Sequence, residues 1–223
     1  MHLNADFSQR AVVRFAEGDW VASPMPGVRR RMLDRIGDEV ARATSIVRFD
    51  PGSAFPPHTH DGGEEYLVLD GIFQDENGDF PAGSYVRNPP TSSHTPAARE
   101  GATILVKLHQ FDPDDRTQVR VDSGRATWVQ AAPGVNSLLL HEDGRERVVM
   151  EHWAPGTARN LDATGGLEVF VIAGGLSEGT ETFGPWDWLR LPVGSAFDAE
   201  ASPEGARVWI KTGHLRHTGK APA

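Results

Sequence analysis

The chain has 223 residues and carries 31 Asp and Glu against 22 Lys and Arg, a formal charge of −9 at pH 7. That balance argues against an extended nucleic-acid surface, which needs clustered cations to displace phosphate counterions. Cysteine is absent, so disulfides, thiolate metal sites and cysteine nucleophiles are excluded.

The first residues, MHLNADFSQR, lack the apolar core of a signal peptide, and no run reaches the ~18 apolar residues of a membrane span. A cytoplasmic protein without membrane or nucleic-acid partners is the expectation. The 24 glycines and 16 prolines separate many short apolar runs, which favours an all-β protein over a helical one. A short strand is expected from Arg29 to Asp34. Alternation there sends Arg30 opposite to Arg29 and Arg31, so the basic run reads as a solvated face. Further strands are expected over 43–49, 64–70, 84–88 and 102–109, divided by PGS, GDFPAG and REG turns.

Between these strands lies the most informative spacing of the chain. Gly52 is followed by five residues, then His58, Thr59, His60, three residues, Glu64, six residues and Gly71. In an extended strand His58 and His60 share a face, because side chains alternate with period 2, and Thr59 points away. Asp61, Gly62 and Gly63 suit a tight reversal that returns Glu64 beside the two imidazoles. A second frame follows: Gly83, five residues, Pro89, one residue, Thr91, two residues and His94. A lone His-x-His usually marks two solvated histidines. The added carboxylate, the later imidazole and the spaced turn residues instead predict one divalent-metal site made of His58, His60, Glu64 and His94.

The two segments resemble the paired motifs of the cupin superfamily, whose fold is a small antiparallel β-barrel of the jelly-roll kind. Thr91 stands where the second motif usually has Gly, and Ala98 where it usually has Asn. GGEEYLVLDG at 62–71 and GDFPAGSYVRNPPTSSHTP at 78–96 are more narrowly similar to the cupin domain of ChrR-type anti-sigma factors. That likeness implies a regulatory or oxidative-stress-sensing role and favours Zn²⁺. In that family a separate zinc domain built on cysteine binds the sigma factor, and the chain has no cysteine, so sigma-factor binding does not carry over.

An internal repeat predicts two tandem barrels, 1–120 and 121–223, divided in the polar stretch DPDDRTQVRVDSGR. Pro51-Gly52 matches Pro155-Gly156 and Gly71 matches Gly175. Farther on, Phe80, Arg87 and Pro89 match Phe183, Arg190 and Pro192 at a displacement one residue shorter, and Lys107 matches Lys211. Upstream, Trp20 matches Trp128. Read through this alignment, His58 becomes Asp162, His60 becomes Thr164, Glu64 stays as Glu168 and His94 becomes Phe197. One metal per chain is therefore expected, with a second barrel filled by Phe170, Phe197 and Trp186 or Trp188.

Three imidazoles and one carboxylate leave the ion's identity open. Tetrahedral Zn²⁺ would close the site, the pattern of structural or sensing zinc. Fe²⁺, Mn²⁺ or Ni²⁺ with five or six ligands would leave room for water, O₂ or a small oxygen-chelating molecule. Two readings follow: a ligand-sensing regulatory module, or a small metalloenzyme such as a diketone- or catechol-type dioxygenase. Tyr66 shares Glu64's face by parity and is the candidate for a polar contact near the ion. Glu65, Tyr85 and Arg87 lie beside ligands with their facing unassigned. His2, His141, His152, His214 and His217 read as surface or capped imidazoles. His109, at the end of an apolar run, is the first of the remaining histidines to inspect. Exposed sheet edges invite pairing, so a homodimer is expected.

Overall fold

The computed structural model describes residues 1–38 and 40–218, so the last five residues of the expected second domain lie outside it. Strands dominate, and among the described residues the two short helices are 3-10 turns, Phe15–Glu17 and His214–His217. The described residues divide into two compact units: Met1–Ala5 with Asp19–Ala126, and Asp6–Gly18 with 127–218. The division after Ala126 lies near the sequence boundary at 120, while the transfer of Asp6–Gly18 to the second unit had no counterpart in the sequence reading.

In the first unit the main sheet runs, in order, His2–Leu3, Val28–Gly37, Ala41–Phe49, Ala102–Leu108, Glu64–Asp75, Ser84–Asn88 and Val119–Asp122. All these pairs are antiparallel. Alternation sorts the side chains. Val47 and Phe49, Ile104 and Val106, and Tyr66 and Val68 turn inward and pack with Phe73 and Phe80 in one apolar cluster. Each such buried side chain contributes about 1.5–3 kcal/mol. Their neighbours on the opposite face, Glu65, Leu67, Leu105 and Lys107, are buried as well, so the central strands read as near-continuous apolar runs interrupted by paired charges.

The second unit repeats the order: Val129–Ala132, Val135–Glu142, Arg147–Trp153, Ser195–Thr212, Leu167–Glu178, Trp188–Leu191 and Ala11–Val13. Its last strand comes from the segment that precedes the first barrel, as Val119–Asp122 in the first unit comes from the segment that precedes the second. The registers agree: Val119 lies opposite Arg87 and Ala11 opposite Arg190, while Val121 lies opposite Tyr85 and Val13 opposite Trp188. Each barrel's outer edge is thus closed by the lead-in strand of the other repeat.

Strand register also corrects the alignment of the two repeats. Glu65 lies opposite Arg87 and Lys107, and Glu168 lies opposite Arg190 and Lys211. The Tyr85 hydroxyl donates to Glu65 Oε2 at 2.7 Å, and Trp188 Nε1 donates to Glu168 Oε2 at 3.1 Å. Glu168 is therefore the counterpart of Glu65, and Glu64 corresponds to Leu167. His94 pairs with His58 across its ladder where Phe197 pairs with Leu161, and Ala163 takes the place of His60. The residue missing from the second repeat is lost before the ligand positions, not after Gly71. Asp162 and Thr164, expected in the ligand positions, are exposed.

The filling of the second barrel differs from expectation for the same reason. Phe197 packs inside with Ala163, Leu167, Val169 and Leu191, and partly buried Leu161 lies against them. Phe170 shares Glu168's face as expected, but that is the face turned away from this cluster, with Trp188 opposite it. Trp186 is half-buried and lies edge-on to Phe15, ring centroids 4.9 Å apart.

Candidate metal centre

Strand His58–Thr59 pairs with Ser93–His94, which sets His58 directly across from His94. His60 follows two residues on, its backbone N donating to the Ser92 carbonyl at 2.9 Å and its carbonyl accepting from Thr91 N at 2.9 Å. Thr91 has φ 75°, a left-handed backbone in which glycine is at ease and L side chains are uncommon. The glycine usual at this place in cupins thus has a conformational cause, and this chain meets it with threonine. Gly62 and Gly63 then turn the chain into the Glu64 strand. A Cβ on Gly63, whose φ is 75°, would come within 2.4 Å of the Phe111 ring.

The four expected residues converge. The three imidazole rings form a near-equilateral triangle, with centroids 4.9 Å apart for His58–His60, 5.0 Å for His58–His94 and 4.7 Å for His60–His94. Glu64 Oε2 lies 3.4 Å from His60 Nε2 and 3.5 Å from His94 Nε2. Asn88 Nδ2 donates to the same oxygen at 3.2 Å and fixes its aim. The outer ring nitrogens are held from behind: His58 Nδ1 lies 3.1 Å from the Pro56 carbonyl oxygen and His94 Nδ1 3.3 Å from Asp75 Oδ2. Both oxygens only accept, so Nδ1 carries the proton and the Nε2 lone pair faces the centre.

That arrangement leaves a deficit. His60 Nε2 and His94 Nε2 are buried without a hydrogen-bond partner among the described residues, and unpaired buried polar atoms are costly. An electrophile between them removes the deficit, and one ligand nitrogen from each of His58, His60 and His94 lies within 4.8 Å of the others. The three histidines can hold a metal ion, with the Glu64 carboxylate adjoining. Electrostatics agree with neutral imidazoles. Burial, then His58 and His109, depress His60 to about 4. Burial also lowers His94, against the pull of Glu64. Glu64 is raised by its burial, with His94 and Asn88 working against that.

A cavity of about 360 Å³ opens from this cluster into the barrel. His58, His60 and Glu64 form one wall, and Phe49, Phe55, Phe73, Ile104 and Val106 supply apolar walls. Small-molecule sites have this character, mostly apolar with a few convergent polar groups. Tyr66 does share Glu64's inward face, yet it is buried against Phe73 and Phe80, at ring distances of 5.1 Å and 6.3 Å. Glu65, Tyr85 and Arg87 lie on the other face in a buried network that Arg87 extends to Asp115 at 2.8 Å. His214 is a capped imidazole, its Nε2 2.8 Å from Glu168 Oε1. His109 lines the cavity. Its position at the end of the 102–109 run was legible, but its turn into the cavity was not.

The model of the ChrR cupin-like domain matches residues 8–112 and again 116–216. The chain belongs to the ChrR cupin-like family. Both repeats of this ChrR-like protein carry the family's sequence pattern, although only the first converges its imidazoles. It is 39% identical over 79 residues to the anti-sigma-E factor ChrR of Cereibacter sphaeroides. That match covers 35% of this chain and 36% of the relative, about a third of the curated protein's length. Among solved structures, a Nostoc punctiforme protein described as a candidate dioxygenase superposes with a TM-score of 0.76 at 18% identity, covering 97% of this chain and 87% of that one. YlbA of E. coli gives 0.70 at 12% identity, over 92% and 91%. The oxalate decarboxylase of Lactobacillus farciminis, solved as a formate complex, gives 0.64 at 11%, over 91% and 86%. At these identities the likeness carries the fold and not the reaction.

Proposed function

We propose that this ChrR-like chain is a metal-dependent sensory cupin. Its first barrel holds one divalent ion through His58, His60, Glu64 and His94, and its second barrel is a metal-free support. The reading rests on one observation: two buried imidazole nitrogens without partners, with a third imidazole and a carboxylate beside them, at the head of an apolar cavity. Zn²⁺ is the favoured ion on family grounds, and Fe²⁺, Mn²⁺ or Ni²⁺ suit the same donors. When bound, the ion supplies a Lewis-acidic position for an oxygen-donor ligand. The protein's part is to present lone pairs through the Pro56 and Asp75 contacts, to keep bulk water out with Phe49, Phe55 and Phe73, and to offer a pocket of defined size. A cytoplasmic location and a homodimeric state belong to this proposal.

The cavity also favours a second reading, a dioxygenase acting on a diketone or catechol. Elemental analysis of the purified chain, followed by O₂-uptake assays with acetylacetone and catechol on the iron- and zinc-loaded forms, separates the two. About one metal per chain without turnover supports the sensory reading. Substrate-dependent O₂ uptake replaces it with the enzyme, and a chain that binds no divalent metal sinks both. Light scattering tests the dimer, which a monomer at working concentration refutes.

A further inference from the structure

His109 follows strand Ala102–Leu108 and adopts φ 55°, a region that L side chains rarely occupy. Its counterpart in the second barrel is fixed by backbone hydrogen bonds. His109 N donates to the Gly63 carbonyl at 3.1 Å, and Gly213 N donates to the Gly166 carbonyl at 3.1 Å. Gly213, at φ 88°, is the residue this conformation calls for. The first barrel thus places an imidazole where its twin has glycine, at a conformational cost and with the ring seated directly against Gly62. The His109 ring is half-buried, and among the described residues neither of its nitrogens has a hydrogen-bond partner. It lines the same cavity as His58, His60 and Glu64 and is close enough to His60 for its charge to disfavour that of His60. Burial lowers its pKa, with Asp61 opposing; a neutral imidazole offers one donor and one acceptor.

The remaining walls say what such a group would meet. Phe49 lies 5.7 Å from Phe55 and 5.0 Å from Phe73, centroid to centroid, and these rings with Val47, Ile104, Val106 and Leu108 make a space suited to a flat, mostly apolar molecule. We propose that His109 is a specificity-determining residue. It hydrogen-bonds the outer polar atom of a small, flat, mostly apolar oxygen-donor ligand whose inner oxygen lies at the His58–His60–Glu64–His94 centre. This inference rests on the metal reading above and adds the residue that selects the ligand. A ring kept only for its contact with Gly62 would be lost to glycine at a cost in stability alone, whereas one kept for recognition would also cost ligand affinity.

The test uses the full chain loaded with Zn²⁺ and 4-nitrocatechol as the probe, read by the shift of its visible band and by competition with acetylacetone. Variants are His109→Gly, which installs the twin residue, and His109→Asn, which tolerates the left-handed backbone and keeps a polar side chain. The expected result is metal-dependent binding to the wild type, weaker by about five- to ten-fold in His109→Gly and intermediate in His109→Asn. Metal content stays at the wild-type level in both variants. Equal binding by His109→Gly overturns the inference, as does a metal-loaded wild type that leaves the spectra of both probes unchanged. Failure to load metal at all overturns the metal reading instead, so the two failures are distinguishable.

Discussion

The two barrels share a strand order, a glycine reversal and a buried glutamate set opposite an arginine and a lysine, yet only one gathers imidazoles around an open space. In the first, His58, His60, Glu64 and His94 face inward beside a cavity of about 360 Å³. In the second, the same ladder positions carry Leu161, Ala163, Leu167 and Phe197, and these join the apolar cluster. The difference separates what the fold requires from what the site requires. The Glu65–Arg87 and Glu168–Arg190 pairs persist in both copies and belong to the scaffold. The four donors occur in one copy and belong to the proposed metal site.

The comparison breaks most decisively at the ligands. His60→Ala removes a donor whose Nε2 has no partner among the described residues, so it is expected to weaken metal binding by about 100-fold or more. The measurement is elemental analysis together with competition against a chromophoric chelator. Changing Asp162 or Thr164, both exposed in the second barrel, is expected to leave metal content untouched, and any loss there would contradict the one-site asymmetry.

Next in size is the packing that replaces the site. Phe197→Ala empties a position that is 1% exposed and is expected to cost about 3–5 kcal/mol in denaturant unfolding, with metal stoichiometry unchanged. A cost below about 1 kcal/mol would mean that the second barrel does not rely on the aromatic fill.

Much of the first site was legible because ligand spacing is local: period-2 alternation fixes His58 with His60, and the Asp61-Gly62-Gly63 reversal returns Glu64. The twin was misread by one residue for a physical reason. Glu64 and Glu65 are adjacent, the second copy has Leu167-Glu168, and letter identity fits Glu168 to either. Only the ladder partners, Arg87 with Lys107 and Arg190 with Lys211, decide. The inward turn of His109 depends on a left-handed backbone that nothing in the residue itself announces. The exchange of lead-in strands escaped for a related reason, since the Ala11–Val13 pattern says strand without saying which barrel it joins.

Acid should also distinguish the barrels. Burial, His58 and His109 hold His60 near 4 in the folded, metal-free chain, against an unfolded value of ~6.5. Between these values the unfolded chain binds the extra proton, so stability falls as pH drops from ~6.5 to ~4 and is flat below, a contribution of about 2–3 kcal/mol. His94 acts in the same direction. Glu64, raised by burial, partly offsets it. Chelated protein melted across that range should show the loss, and His60→Gln should flatten it. An unaltered slope in His60→Gln would mean that other groups carry the acid sensitivity.

The smallest effect tests what the barrels have in common. Tyr85→Phe deletes a 2.7 Å hydrogen bond to buried Glu65 Oε2, which keeps Arg87 Nη1 at 3.6 Å. Trp188→Phe deletes the 3.1 Å bond to Glu168 Oε2, which keeps His214 at 2.8 Å from its other oxygen. Losing one donor to a buried carboxylate costs about 1–3 kcal/mol, and the Tyr85 change, which removes only an oxygen, belongs at the lower end. Neither substitution touches an inward-facing donor, so unfolding should register each and metal titration should register neither. If Tyr85→Phe reduced metal affinity, the outer network would be coupled to Glu64 through its chain neighbour Glu65, and the separation of scaffold from site would fail at that residue pair.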